Sequence, residues 1–217
     1  MTTFADGEKS LVGYVRQLTS TDLGPLESLL RSDPVSNCFL DARVRGAGLD
    51  PWRLGGDIWG YLDDDTLHSV VYVGANLVPV GTTPASRAVL ADRLRMSPRR
   101  CSSFVGDREE VLDLWRLLEP AWGPAREVRD DQRLLVMDTD ANIPHDPHVR
   151  MATLADMDVL LPACVDMFTE EVGISPVRGG GGSAYRDRVA EIVRAGRSFV
   201  RIVDGRIEFK AEIGAAT

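Results

Sequence analysis

Val15-Arg16-Gln17-Leu18-Thr19-Ser20-Thr21-Asp22 returns as Val149-Arg150-Met151-Ala152-Thr153-Leu154-Ala155-Asp156, a V-R-x-x-T-x-x-D pattern 134 residues further on. Each copy reads as a short strand entering a helix. The Thr is placed to cap that helix, and the Asp three residues later to answer it. Working outward, each copy continues with helical sequence, then a strand, an Asp-rich turn and a second strand. In the first copy these last three are residues 58–62, Asp63-Asp64-Asp65 and residues 66–74; in the second they are 198–203, Asp204-Gly205 and 206–214. The first copy runs on to about Asp140, whereas the second stops at Thr217. The pattern predicts one fold begun twice and finished once, with about half a domain missing.

The 217 residues allow one large domain or up to two ordinary ones, and 44% hydrophobic content supplies a core. A net charge of −8 argues against nucleic acid or an anionic membrane as partner. Two lysines, Lys9 and Lys210, stand against 23 arginines. Cys38, Cys101 and Cys164 are odd in number and far apart, which points to buried thiols in a reducing compartment. The first residues lack the apolar core of a signal peptide, and stretches such as 159–165 are too short to span a bilayer. The expected location is the cytoplasm.

Residues 1–12 read as a mobile tail, 13–140 as the complete copy, 141–148 as a linker and 149–217 as the half copy. Within the first copy, 22–31 is helical through Leu23, Leu26, Leu29 and Leu30, and a second helix covers 35–45 before Gly46 and Gly48. The hairpin follows, then a strand over 76–80 and a helix opened by Thr83-Pro84 that runs to about Met96. Residues 101–105 read as a strand, 107–118 as a helix and 133–138 as a closing strand. The order predicts an α/β sandwich with a mixed sheet flanked by helices. In the second copy, helices are expected over 156–171 and 184–196, joined by the loop 173–183. Pro144 and Pro147 mark the linker.

Strand, capped helix, glycine-rich loop, second helix and a hairpin with an Asp-Gly turn together resemble the opening half of the GNAT acyltransferase fold. From about Val12 onward the chain looks like a tandem GNAT protein whose amino-terminal copy is degenerate. The resemblance implies transfer of acetyl from acetyl-CoA to a small-molecule or peptide amine. In that family a loop of the form Arg/Gln-x-x-Gly-x-Gly/Ala after the fourth strand holds the cofactor pyrophosphate on backbone N–H groups. The corresponding first-copy segment, Val80-Gly81-Thr82-Thr83-Pro84-Ala85-Ser86-Arg87, departs from that form and sets Pro84 where an amide donor is wanted. The second copy stops before its fourth strand. The expectation is therefore an acetyltransferase by kinship, inactive in a chain that lacks the acetyl-CoA loop; the competing expectation is a non-catalytic module that binds a ligand or partner.

Alternation along 207–213 assigns Ile207, Phe209, Ala211 and Ile213 to one face and Glu208, Lys210 and Glu212 to the other. A covered strand carrying Glu-Lys-Glu calls for partners or a substrate. Glu212 or Glu208 is the candidate general base for an acceptor amine, with Lys210 beside it; the plainer alternative is a solvated face paired across the hairpin with Arg201. Glu170 and Glu171, closing the first helix of the second copy, are candidates for receiving a cationic amine, or an ordinary helix end. Gly179 to Gly182 reads as a lid or a linker. His145-Asp146-Pro147-His148 is read as a solvated loop ahead of a metal site, and Trp52, Trp59, Trp115 and Trp122 as core or interface residues. The apolar face of 207–213 lies on an edge strand, so self-association or a homodimer through that edge is expected.

Overall fold

The computed structural model describes residues 13–217; the expected tail, 1–12, lies outside the described residues. The protein is α/β and divides into two compact units, the first ending at Val136 and the second spanning Met137–Ala216.

The first unit has strands β1 (Tyr14–Gln17), β2 (Asp57–Asp63), β3 (Thr66–Val73), β4 (Asn76–Val80) and β5 (Ser103–Phe104), in that order across a mixed sheet. All pairings are antiparallel except β4 with β5. Helices α1 (Leu23–Leu30), α2 (Cys38–Ala47) and α3 (Pro51–Leu54) cover one face, where Leu26, Leu30, Leu40 and Leu54 pack with Val70 and Tyr72. Helices α4 (Pro84–Arg95) and α5 (Arg108–Trp122) cover the other, where Leu90, Leu94, Leu114 and Leu118 meet Val71, Val73 and Leu77. Burial on both faces explains why β3 reads as an unbroken apolar run after Ser69.

The second unit holds β6 (Arg150–Met151), β7 (Ser198–Val203) and β8 (Arg206–Glu212) in an antiparallel sheet of that order. Helices α6 (Met157–Val172) and α7 (Gly182–Arg194) cover one face through Leu160, Cys164, Val189, Val193 and Val200.

The repeat is present down to single hydrogen bonds. Leu18 N–H donates to the Ile58 carbonyl and Ala152 N–H to the Ser198 carbonyl, both at 2.8 Å. In each hairpin the ladder shifts by one residue at the same place, leaving His68 extra in β3 and Glu208 extra in β8. Both turns are two residues at positive φ, Asp64-Asp65 and Asp204-Gly205. The shared register makes Leu67, Val70, Tyr72 and Val73 the counterparts of Ile207, Lys210, Glu212 and Ile213.

Three expectations need correction. The closing strand over 133–138 is absent: 123–149 holds no regular element, and Leu135 is 85% exposed. Trp52 is 95% exposed at the start of α3 and belongs to no core. The faces of β8 are not those that strict alternation requires. The bulge at Glu208 sets Ile207 on the helix-covered face with Lys210 and Glu212, while Phe209, Ala211 and Ile213 face outward.

Candidate functional site

The V-R-x-x-T-x-x-D stretches build the same device twice. Arg16 places a two-pronged fork on Asp22 at 2.7 and 2.8 Å, and Arg150 does so on Asp156 at 2.8 Å twice. The same Asp accepts the backbone N–H of Thr19 or Thr153 at 2.8 Å. Charge-assisted contacts of this kind hold each Asp well below the ordinary carboxylate range, Asp22 at about 2. The arrangement fixes the angle at which each strand delivers its helix.

The chemistry lies where the copies differ. In the first unit the facing positions on α1 and β3 are Leu30, Val70 and Tyr72, all inside one apolar cluster. In the second they are Cys164, Lys210 and Glu212. The Cys164 thiol donates to Glu212 Oε1 at 3.2 Å, and Lys210 Nζ lies 3.4 Å from the same oxygen. Lys210 also reaches Met167 Sδ at 3.5 Å, and the Tyr185 hydroxyl donates to the Cys164 carbonyl at 3.1 Å. The side chains of Lys210 and Glu212 are only 9% and 20% exposed. Burial, then the hydrogen bond to Glu212, pushes the Cys164 thiol up to about 12; burial, then the neighbouring Cys164 and Glu212, does the same to Tyr185. Both stay protonated at neutral pH: the thiol and Lys210 meet on Glu212 Oε1, while the Tyr185 hydroxyl is taken up by the Cys164 carbonyl.

An ion pair partly withdrawn from water repays its desolvation poorly, and the first unit folds the same path with the uncharged Leu30, Val70 and Tyr72. Packing therefore does not require Lys210 and Glu212. Lys210 and Glu212 lie together with Cys164 and Tyr185. The two helical residues are predictable only once β8 is known to face α6.

Glu170 and Glu171 do not join them: both are exposed in the last turn of α6. Glu208 is paired with Arg201 at 3.2 Å, the plainer of its two readings. Asp146 receives Arg201 at 2.5 Å and the His148 N–H at 2.9 Å, so the His145–His148 turn is engaged in fixing β7. Among the described residues no group of three His, Cys, Asp or Glu side chains is arranged to hold a metal.

The segment that corresponds to a pyrophosphate loop is filled from within. Arg87, 2% exposed, donates to Asp113 at 2.6 Å, to Glu109 at 3.2 Å and to the Thr82 carbonyl at 2.8 Å. The Thr82 hydroxyl donates to Glu110 at 2.9 Å, and the Ser86 N–H is taken by Thr83. Carboxylates ring the place an anion would need, and Pro84 supplies no donor there. These residues do not fit a pyrophosphate.

No helix among the described residues is long and apolar enough to cross a membrane. Residues 56–160, from the residue before β2 into α6, match the family model of a domain of unknown function, DUF4081. No curated protein and no solved structure matches the chain.

Proposed function

We propose that the protein is a GNAT-type N-acyltransferase, acting with acetyl-CoA on an amine, and that its second unit carries the acceptor-amine side of the reaction. The observation that supports this most is the substitution of Lys210, Glu212 and Cys164 for the uncharged Val70, Tyr72 and Leu30 on an otherwise repeated chain path. Glu212 is the general base. Its carboxylate takes the proton of the substrate ammonium, which frees the nitrogen lone pair to attack the thioester carbonyl; the C–N bond forms as the C–S bond breaks and the thiolate leaves. Lys210 holds that carboxylate in place until a substrate cation displaces it. Glu170 and Glu171, exposed nearby in sequence on α6, add negative charge on the approach.

The 80–87 segment does not supply the amide cradle that acetyl-CoA needs, so the first unit is given no cofactor contact. That filled segment favours a second reading for the first unit alone, a non-catalytic module for a ligand or partner. A cytosolic setting accords with three unpaired cysteines.

The test is acetyl transfer to a panel of primary amines from a small acetyl thioester that needs no pyrophosphate cradle, followed by thiol release. The expected result is transfer that falls at least about a hundredfold in Glu212→Gln, the usual loss when a general base is removed, while the variant keeps its circular dichroism. Equal rates in the two proteins would remove Glu212 from the chemistry. Absence of transfer to any amine would remove the acyltransferase reading itself.

A further inference from the structure

Lys210, Glu212 and Cys164 have a fourth companion on the repeated path. Ala152 N–H donates to the Ser198 carbonyl where Leu18 N–H donates to that of Ile58, so Ser198 is the counterpart of Ile58. Ile58 is 2% exposed and belongs to the apolar cluster of Leu30, Val70 and Tyr72. Ser198 is 0% exposed, and its hydroxyl has no hydrogen-bond partner among the described residues. Its strand, β7, runs between β6 and β8, and Ser198 shares the helix-covered face with Val200. Across the ladder from it stands Glu212. The next pair outward is joined by Ile213 N–H on the Arg197 carbonyl, so Ser198 and Glu212 form a non-hydrogen-bonded pair, the kind whose side chains stand closer. The orphaned hydroxyl is therefore beside the carboxylate that Lys210 Nζ reaches at 3.4 Å.

A buried hydroxyl without a partner lowers stability, and Ala at that position would avoid the loss. Three of the four replacements are also smaller: Ser for Ile58, Cys for Leu30 and Glu for Tyr72. Together the four hold one anion, one cation and one unused hydroxyl donor. A substrate that carries only an ammonium meets half of that set. On reaching Glu212 it displaces Lys210 and leaves that charge unpaired, with 9% of its side chain exposed to water. A zwitterion compensates both partners. We propose that the site takes an α-amino acid, its ammonium on Glu212 and its carboxylate on Lys210 and the Ser198 hydroxyl. The α arrangement keeps the two substrate charges as close together as the pair they exchange with. Ser198 donates to the carboxylate where water does not compete, which strengthens the contact. The carboxylate then anchors the substrate while Glu212 takes the ammonium proton. This rests on the reading that Glu212 receives the acceptor amine, and it names the class of that amine.

Calorimetric titration with each of the standard L-amino acids tests this without any acyl donor. Saturable binding of at least one is expected. The matching amine, which lacks the carboxylate, and the matching acid, which lacks the ammonium, are each expected to bind at least about tenfold more weakly. Ser198→Ala is expected to lose about tenfold in affinity for the amino acid while melting at or above the wild-type temperature, the reverse of what a structural hydroxyl would show. Lys210→Met is expected to invert the preference, so that the amine binds more tightly than the amino acid. Failure of every amino acid to bind overturns the proposal, as does equal binding of the amine to wild type or an unchanged affinity in Ser198→Ala. Acetyl transfer to other amines can stand beside any of those failures. Amino-acid binding without transfer upholds the proposal and removes only the acyltransferase chemistry.

Discussion

Asp22 and Asp156 show how much one residue settles in this chain. Each closes a capping box, accepts an Arg fork and fixes the strand-to-helix angle. The capping spacing is legible from Thr and Asp alone, but the Arg fork is not, because a residue six positions upstream in an extended strand carries no helical periodicity. Small neighbours complete the joint. A Cβ on Gly60 would lie 2.6 Å from Leu18 Cδ2, and the second unit solves the same contact with Ala152 against Val200. Folding lowers the Asp22 carboxyl from 3.8 to about 2, chiefly through its hydrogen bonds to Arg16. A group with a depressed folded value stabilises fully above its unfolded value and loses that contribution as pH falls through the folded one. Melting temperature is therefore expected to fall between about pH 4 and pH 2 in wild type, and less in Asp22→Asn, whose stability is already lower at neutral pH. Parallel pH curves for the two proteins would show that the Arg16 fork contributes nothing.

At the scale of elements, Arg87 ties α4, α5 and the segment before α4 into one body. Its head is buried, whereas Asp113 and Glu109 are partly or largely exposed and would rehydrate. Arg87→Ala is thus expected to cost about 3 kcal/mol, the low end for breaking a buried ion pair. Arg87→Lys is expected to rescue little, since one ammonium lacks the fork that serves two carboxylates and a carbonyl. Guanidinium titration followed by tryptophan fluorescence measures both; a loss of under 1 kcal/mol for Arg87→Ala would make the network ornamental to stability. Helices and hairpins were legible wherever caps, periodicity and turn residues agreed, as at Thr83-Pro84 and Asp204-Gly205. The bulge at Glu208 was not. An extra residue in a strand leaves no compositional trace, yet it decides which side of β8 meets α6, and so brings Lys210 and Glu212 to Cys164. Leu134, Leu135, Val136 and Met137 make the opposite case: a strand-like composition without an observed strand partner remains irregular.

At the scale of the whole molecule, the two units have unequal means of holding themselves together. The first closes a five-stranded sheet between helices on both faces, with two apolar clusters. The second has three strands, one cluster and an outer face left to Phe209 and Ile213. A sheet covered on one side buries less apolar surface per residue, and stability follows that area at about 25 cal/mol per Å². The second unit is therefore expected to unfold first. The sequence offers a clean way to see it, because all four tryptophans lie in the first unit and none in the second. Tryptophan fluorescence follows the first unit alone, whereas far-ultraviolet dichroism follows both. In a denaturant titration the dichroism is expected to lose the contribution of α6 and α7 at lower concentration than the fluorescence midpoint, and Ile192→Ala or Val193→Ala is expected to move only the early step. Coincident midpoints with both probes, shifted together by those substitutions, would mean that the units unfold as one cooperative body.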